Sequence, residues 1–109
     1  MRDGIYRIWL NGAHGKTAGA VYLKDGDVLA CHKSYAFVGR YIIQLGRLIA
    51  EVRCKRLNDK SKPVNMPDRD DFLLRVEGPT GDEFAVLNAT VPDVPDFKMG
   101  FEITWHSHA

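Results

Sequence analysis

No stretch of this chain is apolar for long enough to cross a bilayer as a helix, and none carries an amphipathic helix's stripe of apolar residues at threes and fours. Cysteine is scarce. Cys31 and Cys54 are the only two, too far apart for a zinc site or a disulfide framework. Each sits in an apolar strand pattern and reads as a small buried residue. Charge of either sign is lacking in excess: 15 basic against 14 acidic residues leave a net +1. That balance argues against a nucleic-acid or anionic-membrane specialist. The opening "MRDGIYRIWLNG" reaches charge and strand pattern at once, without a signal peptide's apolar run. The expected setting is a reducing one, the cytoplasm. No catalytic motif is present, and nothing calls for a cofactor.

What is present is a period of two. "GIYRIWL" (4–10) opens with β-branched and aromatic residues, and "NGAHGKT" follows as a Gly-rich turn or loop. "AGAVYL" runs to Asp25-Gly26, a strong hairpin signal, and "DVLAC" returns from it. "FVGRYIIQL" ends at Gly46. In "RLIAEVRCKR", Leu48, Ala50, Val52 and Cys54 then share one face, and Arg47, Glu51, Arg53 and Lys55 share the other with Ile49 intruding. Residues 57–70 have no period, two prolines and many charges, and read as a long loop. "DFLLRVEG", "FAVLNAT" and "FKMGFEITW" are further strands, joined by a turn at "PTGDE" and a rigid extended connector at "VPDVPD". With about eight short strands and no helix, the pattern predicts an all-β antiparallel meander, closed as a barrel or folded as a sandwich. An eight-stranded barrel is filled by side chains or holds one small ligand.

Candidate sites are few. Tyr35, Phe37 and Tyr41 share one strand face, so they fill an interior or line a pocket, with packing the default. A buried phenol needs a hydrogen-bond partner, which keeps the pocket reading open for the two tyrosines. Gly39 between them marks a bulge or a sharp bend. Cys31 and His32 are neighbours on opposite strand faces and lack an orienting acid, so a nucleophile-base pair is not expected. His106 and His108 are two imidazoles where a metal site needs three or four ligands, so no metal is expected and a frayed polar terminus is. Arg53, Lys55, Arg56, Lys60 and Lys62 form a basic cluster without interleaved aromatics and read as a solvated face. Trp9 and Trp105 fall on terminal strands, as core residues or as anchors of a dimer interface.

Several of these segments together resemble the GrlR-like family of small bacterial proteins, named after a negative regulator of type III secretion. They are Asp3-Gly4-Ile5-Tyr6, the hairpin Gly19 through Gly26, Phe37-Val38-Gly39-Arg40-Tyr41, the strand Leu48 to Val52, and Pro92-Asp93-Val94 before Phe101. The similarity spans nearly the whole chain, in order and with similar loop lengths. It implies a lipocalin-like β-barrel of seven or eight strands, usually a homodimer. For the named member it implies a regulatory role through binding and masking a transcriptional activator. Two departures stand out. Many relatives carry "GGD" where this chain has Cys31-His32-Lys33. The named regulator's acidic turn, tied to its activator, is here Gln44-Leu45-Gly46-Arg47 without an acid. The masking mechanism therefore does not transfer residue by residue.

The resulting expectation is one barrel domain over residues 1–105 with a tail over 106–109, non-enzymatic and homodimeric. Its function is protein interaction, with a transcriptional regulator as the kind of partner, and with no nucleic acid or membrane bound. The alternative is a binder or sensor of a small hydrophobic ligand, held in the interior near Tyr35, Phe37 and Tyr41.

Overall fold

The computed structural model describes residues 1–12, 15–31, 34–57, 67 and 69–108. Eight strands follow one another: β1 (Gly4–Gly12), β2 (Gly15–Lys24), β3 (Asp27–Cys31), β4 (Tyr35–Gln44), β5 (Arg47–Arg56), β6 (Asp71–Pro79), β7 (Phe84–Val91) and β8 (Val94–Ser107). Each pairs antiparallel with its neighbour in sequence, and β8 returns to β1 to close the barrel. The expected closed meander is the fold found, and the described residues contain no helix.

Alternation places the core. On β5 the pattern is strict, with Leu48, Ala50, Val52 and Cys54 buried and Arg47, Ile49, Glu51 and Arg53 in water. β6 and β7 repeat it through Phe72, Leu74 and Val76 and through Ala85, Leu87, Ala89 and Val91. A period of exactly two residues lets a closed sheet bury one face of every strand at once, and closure removes the edges that a string of hairpins would expose.

Two hairpins turn through consecutive left-handed residues. Asp25 and Gly26 have φ of 51° and 87°, and Leu45 and Gly46 have φ of 52° and 72°. Both positions positive is the two-residue turn whose twist matches the strands it joins. The first is the Asp-Gly hairpin read from sequence. The second puts an apolar residue where Asn or Asp is usual and leaves Leu45 97% exposed.

Several expectations need correction. β1 and β2 extend to Gly12 and from Gly15, so most of "NGAHGKT" is strand rather than loop. "VPDVPD" is not an extended connector. Val91 pairs with Val94 across a tight turn at Pro92-Asp93, beside a register shift at Thr90/Val91. Gly39 marks no bulge, for β4 keeps unbroken register with both β3 and β5 there. His106 and Ser107 continue β8, and His108 is held rather than frayed: the Arg2 guanidinium donates to its Nε2 at 3.0 Å, and it packs edge-on against Trp105. Trp9 faces outward, 37% exposed, opposite Glu102 of β8. Cys31 is exposed, whereas Cys54 is fully buried as expected. Most of the 57–70 stretch, together with His14, His32, Lys33, Lys60 and Lys62, lies outside the described residues.

Candidate ligand-binding site

The interior-facing residues do not fill the barrel. They leave a cavity of about 110 Å³ whose described lining is made of Ile, Leu, Val, Ala, Gly, Phe, Met and Cys. Its floor is Leu23, Val28 and Leu48, its middle Ala50, Val52 and Leu74, and its far wall Leu87, Phe101 and Ile103. Among the described residues no acid, base, hydroxyl or amide side chain reaches it. An apolar void of this kind stays dry, and one of ~150 Å³, somewhat larger than this, takes benzene. A charged guest would lose its hydration and gain no partner.

The three aromatics read from the sequence all face inward, but they do three different things. Phe37 lines the cavity. Tyr35 lies beyond it, 1% exposed, with its ring edge-on to Phe72 at 5.5 Å between centroids. Its hydroxyl donates toward the carbonyl oxygens of Pro67 (2.7 Å) and Arg69 (3.0 Å), so its need for a partner is met by backbone and not by a ligand. Arg56 covers the ring from outside, 5.9 Å from its centroid. Tyr41 lies near the opposite end, where the backbone N–H donates to Gly26 O. Neither tyrosine lines the cavity.

Tyr6 is also at that second end, fully buried, its hydroxyl bonded to the carbonyls of Arg2 and Asp82. Burial, then the neighbouring Tyr41, Glu83 and Asp3, pushes its pKa up to about 12. Burial and Asp3 and Asp25 raise that of Tyr41, opposed by a hydrogen bond from Gly26. At the first end, burial pushes the Cys54 thiol up to about 12, with Asp71 adding to the effect and Arg53 opposing it.

These three groups share a sign. The fold holds each neutral, so their contribution is intact below the ordinary values of 9.0 for the thiol and 10.0 for the phenols, and is lost as pH rises through the folded values. The urea midpoint is expected to be flat between about pH 7 and 9 and to fall steadily above that; a midpoint unchanged up to pH 12 would contradict this. At pH 8, a disulfide reagent is expected to modify Cys31 quickly and Cys54 only on unfolding.

Sequence reading missed most of the wall, including Ala30, Leu48, Ala50, Leu74 and Met99. Its signal was faint: alanine at inward positions of β3 and β5, opposite larger residues. The same signal occurs at Ala85 and Ala89, which are buried without reaching the cavity. Among the described residues, no group of three or more His, Cys, Asp or Glu is placed to hold a metal ion. Comparison with protein-family models finds no match, and neither does comparison with curated proteins.

Proposed function

We propose that the protein is a regulatory binding barrel of the GrlR-like kind and that its interior takes a small apolar molecule. The observation that carries the ligand half is the wholly apolar cavity at the centre of a closed barrel. Every described inward residue that lines it is a hydrocarbon side chain, a glycine or a thioether, and the hydroxyls of Tyr6 and Tyr35 are taken up by backbone carbonyls. Such a lining offers no general acid or base, so it supports binding rather than turnover.

The test is a titration with benzene as the probe, followed by thermal denaturation. Saturable one-to-one binding and a rise in Tm are expected for the native chain. Both are expected to vanish in Ala50→Leu, which fills the middle of the cavity, while the variant stays folded. Equal Tm responses in the two proteins would place the benzene elsewhere and end the reading.

The regulatory half is supported by an outer apolar face. Leu29 on β3 stands opposite Val38 on β4, Ile42 on β4 stands opposite Ile49 on β5, and Leu45 projects from the turn beside them, all well exposed. The exposed Arg40–Asp27 ion pair separates these into two apolar patches with a charged centre, the pattern of a surface that a homodimer or a protein partner would cover. The acid-free turn favours a partner with an apolar surface over a basic DNA-binding one. Sedimentation of Ile42→Asp against the native chain checks the homodimer, with a shift from dimer to monomer expected and identical profiles counting against it.

A further inference from the structure

Among the described residues two seams of the barrel carry short ladders, β6–β7 with three paired positions and β2–β3 with four, and the residues that line the cavity decide between them. β3 has five residues, while β2 and β4 have ten each. β2 pairs with β3 only from Val21↔Ala30 to Lys24↔Asp27. On its other edge β2 pairs with β1 all the way to Gly12↔Gly15, and β4 pairs with β5 up to Tyr35↔Arg56. Among the described residues, the pairing of β2 with β3 thus stops at Val21↔Ala30 and that of β3 with β4 at Cys31↔Ala36, while β1–β2 and β4–β5 continue.

The lining residues say what that gap does. Neighbouring residues of a strand point to opposite faces, so an enclosed cavity touches every second one. At this seam it touches consecutive ones. Gly19 and Ala20 of β2 both line the cavity, and so do Ala30 and Cys31 of β3. Ala20 and Cys31 belong to the outward set and are exposed, as is Gly19. The cavity reaches around both strand edges at once, which requires it to pass between them. The remaining inward residues point the same way. Tyr35 and Phe72, both buried, lie beyond the cavity toward one end of the barrel, with Pro67 and Arg69 bonded over Tyr35. Tyr6 and Tyr41 are buried toward the other.

We propose that an uncharged apolar molecule about the size of one aromatic ring enters and leaves the cavity sideways, through the barrel wall between Gly19-Ala20 and Ala30-Cys31. This rests on the reading of the interior as a ligand site and adds the route and the class of guest. Among the described residues no charged side chain lines the cavity or this doorway, so a carboxylate or ammonium group would find no partner among them. The side chains at the doorway are a hydrogen, two methyls and a thiol, which a ring can pass without displacing a large residue. Phe37, half-buried on β4 behind the opening, lines the cavity just inside.

The native Cys31 makes the proposal testable. Ala20 and Cys31 would be the next pair in the β2–β3 register after Val21↔Ala30. A disulfide between Cys31 and a cysteine at that position, in Ala20→Cys, would staple the seam shut. Cys54 is buried and stays out of the reaction. Fluorobenzene is the probe, and its exchange between free and bound states is followed by ¹⁹F NMR line shape. In the oxidised variant, exchange is expected to slow by roughly tenfold or more with an affinity within about twofold of the native chain, and to recover on reduction. Unchanged rates in the oxidised protein would overturn the route. Absence of fluorobenzene binding to the reduced and native proteins alike would instead remove the ligand reading, and the route with it. If thiol titration shows that the disulfide does not close, Ala20→Trp, which caps the opening from its outer rim, is read against the same outcomes.

Discussion

Replacing Gly39 or Gly78 by alanine is expected to cost the barrel about 3 kcal/mol or more, among the largest effects of any single methyl added to the chain. In most strands the exchange is harmless or mildly stabilising, because alanine loses less freedom on folding. Here the sign reverses. A Cβ on Gly39 would overlap the carbonyl oxygen of Glu51 and crowd the Cα of Val52 on the paired strand. A Cβ on Gly78 would overlap the carbonyl of Val86 and crowd the Cα of Leu87. In both cases the obstacle is backbone, which cannot swing aside as a side chain does, so a strand must shift. Eight short strands close a small barrel only if some bend sharply enough to bring neighbouring backbones this close, and these two glycines are where that happens. Gly46→Ala is the control: its φ of 72° carries strain, but nothing lies within 4 Å of the added atom, so its cost should stay near ~1 kcal/mol. Urea denaturation of the three variants decides it, and a Gly39→Ala protein within about 0.5 kcal/mol of native would contradict the close approach.

Phe72→Ala is expected to cost about 3–5 kcal/mol. Phe72 is 2% exposed and supplies the edge-on partner of Tyr35, so its removal leaves a hole at the end of the barrel and a tyrosine ring without its neighbour. Tyr35→Phe tests the other half of the same cluster. It keeps the ring and deletes the hydroxyl that the carbonyls of Pro67 and Arg69 share, for an expected ~1–3 kcal/mol. Hydrogen exchange at the start of β6 should rise in this variant, because that hydroxyl ties the approach to β6 onto β4. A double-mutant cycle with Phe72→Leu and Tyr35→Leu should show coupling of about 0.5–1.5 kcal/mol. Strict additivity would mean that the two rings do not support each other.

The meander was legible because a half-buried strand writes its geometry into every second residue, as Leu48-Ala50-Val52-Cys54 does on β5 and Phe72-Leu74-Val76 on β6. The Asp25-Gly26 hairpin was equally plain. What the pattern could not reveal depends on sums over several strands. Tyr35, Phe37 and Tyr41 share a face, yet their levels along the barrel axis follow from register, and register makes one an end residue beneath Pro67, one a cavity wall and one an end residue beside Gly26. The void itself is lined by small residues of three strands, Gly19, Ala30 and Ala50, a combination that no single strand discloses. Gly39 was legible as a special position, read as a bulge or a sharp bend, and unbroken register excludes only the bulge. A bulge and a close approach both ask for glycine, and only the pairing partner across the ladder tells them apart. The outward turn of Cys31 follows from plain alternation with the inward Val28 and Ala30 on β3, which reading the segment as uniformly apolar overlooked.

The central claim is that the barrel encloses an accessible apolar space, and xenon-pressurised crystals of the native chain test it most directly, since xenon occupies dry apolar cavities. The account predicts one xenon site inside the barrel, in contact with Ala50, Leu74 and Phe37 and absent in Ala50→Leu. An interior without xenon in the native protein, packed instead by side chains in continuous contact across the axis, would contradict it.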